Sequence, residues 1–309
     1  MSSALLELEQ VRCSLDDVTL LDNVTLRTSA RRVGLSGKTE GVFALLSGQA
    51  RLVSGQFNVL GRPLEVARAE RIFGCALPLR GVPPKWTVRR VLELAAEVAG
   101  YSRRESTQRA AAAAAQIGES LILKCSWSRA NAVERALATL ALGVLTEPAV
   151  LFIRLPLGEL RDQEVARYSA ALARAVSGVF AVELARPALH TGEAAWLTDL
   201  DEIAYVFEAG TAGNWSPEAP GKVRYLLRVE GDRDRVTAAL QRAGITAAAI
   251  HAPSDWQSGR AAFLVDVDRD SNAVANTGPV LDLCVELELA VLELLPVGSV
   301  PQGCKTLTE

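Results

Sequence analysis

With 309 residues, of which 49% are hydrophobic and 22% charged, the chain has material for one large domain and one small one. A formal net charge of -3 does not supply the basic field of a nucleic-acid-binding protein. Five widely spaced cysteines and only two histidines, His190 and His251, give no sign of a disulfide framework, a zinc site or a histidine-based metal centre. The acidic start, with Glu7 and Glu9, is not a signal peptide, and no uncharged apolar run spans a bilayer. A reducing cytoplasmic setting is expected, with peripheral attachment to the inner face of the membrane as a variant.

Residues 5–11 and 18–26 alternate as strands. Residues 31–35 form a short strand running into Gly37, and 42–46 a short helix ending at Gly48. Residues 55–60 suggest a further strand, closed by Gly61-Arg62-Pro63. The stretch 74–84 reads as a loop from its proline and glycine content. Thr87 is placed to cap a helix over 88–98. An alanine-rich helix is predicted over 106–117, and Asn131 caps another that ends near Leu145. Residues 149–153 form a compact apolar strand suited to a buried parallel sheet. A helix over 162–176 and a strand over 178–184 follow. This order implies an α/β sandwich.

Residues 211–221, with Gly213, Pro217, Pro220 and Gly221, are the best linker candidate. Beyond them the pattern is strand 223–229, helix 232–243, strand 247–251, strand 261–267, helix 280–287 and strand 291–295. A β-α-β-β-α-β order of this kind fits a ferredoxin-like module. The expected division is a first domain over 1–213 and a second over 222–309.

Several fragments in order, "FALLSG", "SGQFNVLGRPL", "WTVRRVLELAAEVAG", "ALATLALGVLTEPAVLFIRLP" and "DLDEIAYVFEAG", resemble an ATP-binding cassette subunit. The resemblance runs from about Leu5 to Gly213. It implies a P-loop NTPase-like domain, and the C-terminal module is similar to the extension carried by exporter ATPases. At every position where that family holds nucleotide, this chain departs from it. An active phosphate loop needs GxxxxGK[ST], so that backbone N–H groups and a lysine hold phosphate. Here the text is "VGLSGKTEGVFALL", with Gly34 and Gly37 separated by two residues. Lys38 and Thr39 are the weak candidates for residual nucleotide binding. With Gly48 setting the register instead, Thr39 takes the lysine position and Glu40 sits beside it.

The resemblance places the magnesium carboxylate and the catalytic glutamate at Arg154 and Leu155, before Pro156. Arginine carries the wrong charge for magnesium, and leucine cannot accept a proton. Glu159 and Asp162, the nearest carboxylates, read as surface or cap residues. The signature serine and glycines fall at Asn131, Ala132 and Val133. The switch histidine falls at Glu183 or Leu184, and His190 comes too late. No glutamine occurs between Gln56 and Gln108 for the lid, and no aromatic precedes Phe43 to stack on adenine.

The sequence thus describes a degenerate cassette: not an enzyme, with no cofactor and no metal, working as a scaffold or regulatory subunit. Its expected partner is a protein, such as a membrane protein or an active ABC ATPase, in a homo- or heterodimer. An auxiliary subunit of an exporter, a residual nucleotide-binding regulator and a remodelled enzyme pocket are the alternatives. Leu77, Leu79, Val82 and Trp86, on the loop corresponding to the family's transporter-facing side, are read as exposed and as partner-binding candidates. Trp127 either packs among the helices or anchors a partner.

Overall fold

The computed structural model describes residues 4–154, 160, 162–175, 179–184, 200–206, 209–211, 213–215, 222–250, 259–268 and 275–296. An antiparallel layer opens the chain. Strand β1 (Leu6–Leu15) pairs with β2 (Val18–Thr28) and with β4 (Arg51–Val59). A short β5 (Arg62–Pro63) and β10 (Ala209–Thr211) form its two edges.

A six-stranded sheet lies at the centre. Its order is β11 (Gly213–Trp215), β9 (Glu202–Val206), β3 (Arg32–Gly37), β8 (Phe180–Glu183), β7 (Val150–Ile153) and β6 (Phe73–Ala76). The five strands from β9 to β6 run parallel, and β11 is antiparallel. Both faces are buried, and successive residues are shared between two cores, as strand geometry requires. Val150, Phe152, Ala181, Ala204 and Val206 join one core with Phe43 of α1 (Glu40–Leu46) and the antiparallel layer. Leu151, Ile153, Val182, Ile203 and Tyr205 join the other, under the helices.

Those helices are α3 (Val88–Val98), α4 (Arg103–Gln116), α5 (Ala132–Val144) and α6 (Asp162–Ala175). Two begin with a reciprocal side-chain cap, Ser102 with Glu105 and Asn131 with Glu134. The first of these starts α4 three residues ahead of the position its alanine run suggests. A short helix α2 (Leu64–Ala69) and a 3-10 turn (Ser120–Lys124) complete this half. Tyr101 is held between two guanidinium groups, Arg71 at 4.6 Å and Arg109 at 4.0 Å from the ring centroid.

The remaining chain forms β12 (Lys222–Glu230), α7 (Arg233–Arg242), β13 (Ala247–Ile250), β14 (Arg260–Asp268), α8 (Gly278–Glu286) and β15 (Ala290–Pro296). Its antiparallel sheet has the order β13-β14-β12-β15. Leu227, Val229, Phe263 and Val265 pack with the helix residues Val236, Leu240 and Val280. On the opposite face Leu226, Ala262 and Leu264 join the helix-side core of the six-stranded sheet. There Arg224 makes a two-pronged bond to Asp266, at 2.6 and 3.0 Å, and lies 6.0 Å from the Tyr205 ring. This second sheet is therefore fastened to β9 by apolar contact and by Arg224 against the Tyr205 ring.

Two expectations are corrected. The segment 74–76, read as loop, is part of β6, a full member of the parallel sheet. The reason is steric: a Cβ at Gly74 would run into the Gly143 carbonyl of α5, so only glycine lets helix and strand approach. The linker over 211–221 is also shorter than its composition implies, because 213–215 is the strand β11.

Gly74→Ala should therefore cost roughly 1–3 kcal/mol by overpacking, or abolish folding. Gly81→Ala meets no neighbour and should cost only about 1 kcal/mol, for its φ of +70°. Urea unfolding of the two variants checks the contrast. Acid should act through Glu119, whose carboxyl is held below the usual range by two bonds from Arg167, at 2.8 and 2.6 Å. A depressed carboxylate stabilises above its unfolded pKa, and that contribution is lost as pH falls through the folded one. Unfolding free energy should stay level down to about pH 5 and then decline. Glu119→Gln should flatten the decline by up to about 1 kcal/mol, given the partial exposure of the pair.

Candidate functional site

In an open parallel sheet, ligands bind beyond the carboxyl ends of the strands. Here β3, β8 and β7 deliver Thr39, Glu183 and Arg154 to one place. Register explains the meeting. Ile153 is opposite Val182, so Arg154 follows opposite Glu183, while Leu35 of β3 is opposite Glu183 on its other side. Thr39 then lies two residues beyond the end of β3.

The three side chains close on one another. The Thr39 hydroxyl donates a hydrogen bond to Glu183 Oε1. Arg154 Nε lies 3.5 Å from Glu183 Oε2, an ion pair without a formed hydrogen bond. The Arg154 guanidinium also lies 6.0 Å from the Phe43 ring, and its backbone N–H donates to the Ala76 carbonyl at 3.0 Å. Thr39 and Glu183 are buried, with 2% and 7% of their surface exposed, and Arg154 is part-buried. A buried carboxylate is tolerated when paired and hydrogen-bonded, and Glu183 has both conditions met.

The turn from β3 to α1 is equally restrictive. β3 ends at Gly37 and α1 begins at Glu40, leaving Lys38 and Thr39 between them. Gly37 has φ of +100°, which lets the chain reverse at once into the helix. The Lys38 backbone N–H, which a phosphate loop would turn toward ligand, donates to the Val206 carbonyl at 2.8 Å. Thr39 makes no side-chain cap to α1, and its hydroxyl donates instead to Glu183. The Lys38 side chain is exposed, as is Glu40 in the first helical turn. Nearby, the Ser36 hydroxyl is buried with no hydrogen-bond partner among the described residues.

As they stand, these residues are a poor match for a magnesium-bound phosphate: the turn has two residues, its Lys38 N–H and Thr39 hydroxyl are given to protein acceptors, and Arg154 supplies a cation at the end of β7. Among the described residues no group of three metal-ligating side chains occurs. Leu155, Pro156, Glu159, His190 and His251 lie outside the described residues, as does the side chain of Asp162. At the expected signature, Asn131 is used as the cap of α5 and Val133 is buried.

The partner-binding candidates fall elsewhere. Leu77, Leu79, Val82 and Trp86 are half-buried rather than exposed, and Leu77 packs on the core beneath the antiparallel layer. Trp127 packs against the helix-side core. The chain brings Trp86 and Trp127 together through backbone bonds. The Trp127 N–H donates to the Trp86 carbonyl at 2.7 Å, Ser128 N–H to Pro84 at 3.1 Å and Val88 N–H to Cys125 at 2.9 Å. A Thr87–Ser126 bridge completes this clasp. Arg90 lies 6.0 Å from the Trp86 ring. The clasp accounts for the burial: a segment tied to a second one loses the exposure that its loop composition implies.

Removing Glu183 should leave Arg154 and Thr39 without a partner. Glu183→Leu should destabilise by roughly 2–4 kcal/mol, below the full cost of a broken buried pair because Arg154 is partly hydrated. The triple variant Thr39→Val, Arg154→Leu, Glu183→Leu should recover at least half of that loss, read by chemical unfolding.

No family model matches the chain, and no curated protein matches it. Solved structures do. A nucleotide-free ATP-binding cassette from an ABC transporter aligns at 12% identity with a TM-score of 0.57, covering 70% of this chain and 92% of that one. CbiO1 from Clostridium perfringens, part of the ABC transporter complex cbiONQ, aligns at 14% identity with a TM-score of 0.54, covering 70% and 89%. An ATP-binding subunit of an ABC transporter aligns at 16% identity with a TM-score of 0.52, covering 69% and 90%. About two thirds of the chain thus has the fold of the ATP-binding cassettes of ABC transporters.

Proposed function

We propose that the chain is a noncatalytic, auxiliary subunit of an ABC transporter-like assembly, acting on a protein partner rather than on ATP. The observation that carries this reading is the closure of Thr39, Glu183 and Arg154 over a two-residue turn. Binding phosphate there requires breaking a buried ion pair and rebuilding the turn. Hydrolysis further requires a metal carboxylate and a base, and the strand supplies Arg154. These losses act in one small site and compound one another.

A remodelled hydrolytic pocket has less support. Burial pushes up the thiols of Cys13, Cys75, Cys125 and Cys284, Cys75 to about 12, so none is poised as a thiolate nucleophile.

The auxiliary role is favoured over a free-standing scaffold because the cassette frame is retained across nine-tenths of the solved cassettes it aligns with. The partner is an active ABC ATPase or a membrane protein, in a homo- or heterodimer. We place the contact on the apolar residues beside the clasp, at Leu77, Leu79 and Val82, with Trp127 as its anchor. A half-buried tryptophan held by main-chain bonds is a rigid anchor that costs little entropy on binding. The C-terminal sheet is best described as a ferredoxin-like domain, and the division at about 213 and 222 falls next to β11. Among the described residues no helix is long and apolar enough to cross a membrane. Attachment to a membrane would therefore run through the partner or the surface.

Calorimetry with magnesium ATP and GTP on the purified chain should give no heat at millimolar nucleotide, beside an intact cassette ATPase that saturates. Arg154→Asp should not restore binding, because the turn stays short. Saturable binding by the unaltered chain would overturn the reading and return Lys38 and Thr39 to the role of ligands.

A further inference from the structure

The clasp also carries charge that the fold leaves unanswered. Between Arg80 and Val91, and between Ser120 and Val133, there is no acidic residue. The same two segments contain Arg80, Lys85, Arg89, Arg90, Lys124 and Arg129. Their backbone bonds place Lys85, between Pro84 and Trp86, beside Arg129, which follows Ser128. Lys124 precedes Cys125 at the other end of the clasp, and Arg80 stands on the incoming loop. All four of Arg80, Lys85, Lys124 and Arg129 are exposed, and none makes an ion pair among the described residues.

Neighbouring carboxylates are already engaged. Glu97 faces Arg90 at 3.4 Å, Glu93 accepts from Thr107 at 3.2 Å, Glu119 holds Arg167, and Glu134 accepts from the Asn131 N–H at 2.9 Å. Glu93 and Glu134 keep their charge, but the six cations of the two segments outnumber Glu93, Glu97 and Glu134, so the patch is positive on a protein that is acidic as a whole. Apolar groups interleave with it. Leu121 is 75% exposed on the 3-10 turn beside Lys124, Pro83 and Pro84 are exposed, and Trp86 and Trp127 are half-buried. Cations around a shallow apolar rim with tryptophan suit the headgroup layer of a membrane, where a ring with one apolar and one polar edge is at home.

We infer that the clasp is a peripheral membrane site, which seats Arg80, Lys85, Lys124 and Arg129 on anionic lipid headgroups with Trp86 and Leu121 at the interface. It rests on the membrane-assembly reading for its context, and it names a contact the chain makes without a partner. Each cation near an anionic surface strengthens attachment about fivefold, so four give a gain on the order of several hundredfold. That is reversible attachment, in the range where a second contact such as a membrane-protein partner fixes the location.

The test is co-sedimentation of the full chain with vesicles of phosphatidylcholine alone and of phosphatidylcholine with one third phosphatidylglycerol. The chain should bind the anionic vesicles, and release as salt rises and the Debye length shrinks to a few ångströms. The variant Arg80→Gln, Lys85→Gln, Lys124→Gln, Arg129→Gln should lose on the order of several hundredfold in affinity. Arg103→Gln, Arg104→Gln, which removes two exposed cations from the start of α4, should bind as the unaltered chain does. Equal binding to both vesicle types, no binding, or an equal loss in the α4 variant would each overturn the proposal. So would binding of the clasp to polyglutamate with none to vesicles, which would assign the patch to an acidic protein segment. Vesicle binding needs no nucleotide, so its failure leaves the reading of the nucleotide site untouched.

Discussion

A carboxylate at the end of a strand buried on both faces has to be answered by the protein, and Glu183 is such a carboxylate. Water cannot hydrate it fully, and an unanswered buried charge costs more than most domains can spare. Parallel register supplies the answer. Arg154 extends β7 directly opposite, and Thr39 comes from the turn after β3. Once these three groups satisfy one another, the Thr39 hydroxyl at the β3–α1 turn is committed to the protein's own carboxylate. The turn's shortness and its internal bonds, Lys38 N–H to Val206 among them, follow the same logic.

How much of this can be read in the sequence depends on whether the deciding contact is local. The parallel sheet is legible where its strands are compact apolar runs, as at 149–153, because a strand covered on both faces needs apolar residues at successive positions. Arg154 is legible as a departure because an apolar strand ending in arginine is self-evident along the chain. The bond from Thr39 to Glu183 is not, since 144 residues separate them and only the sheet order brings them together. Gly74 misleads for a related reason. Its neighbours have loop composition, and the need for glycine comes from Gly143 on a helix far along the chain. The clasp misleads in the opposite sense: Trp86 sits in a stretch of loop composition, yet it is tied by the backbone to Trp127.

The C-terminal sheet adds a second constraint of the same kind. Arg224 is buried and paired with the part-buried Asp266, and its guanidinium lies over the ring of Tyr205 of β9. β9 in turn pairs with β3 along Val33 to Gly37. An ion pair of this kind is weak support for stability. The C-terminal unit is seated beside the strand next to β3 by the Arg224 contact with the Tyr205 ring and by Leu226, Ala262 and Leu264 in the helix-side core.

The cores and the strand-end groups reside in different places. The cores are filled by residues within the strands and helices, such as Phe152, Val182 and Leu137. The chemistry resides at strand ends, where a side chain can change without emptying either core. What cannot change freely there is the charge balance. At the ends of β7 and β8 that balance is kept by Arg154 and Glu183, one cation facing one anion, with Thr39 closing the third side. The charges there satisfy one another without drawing on either core.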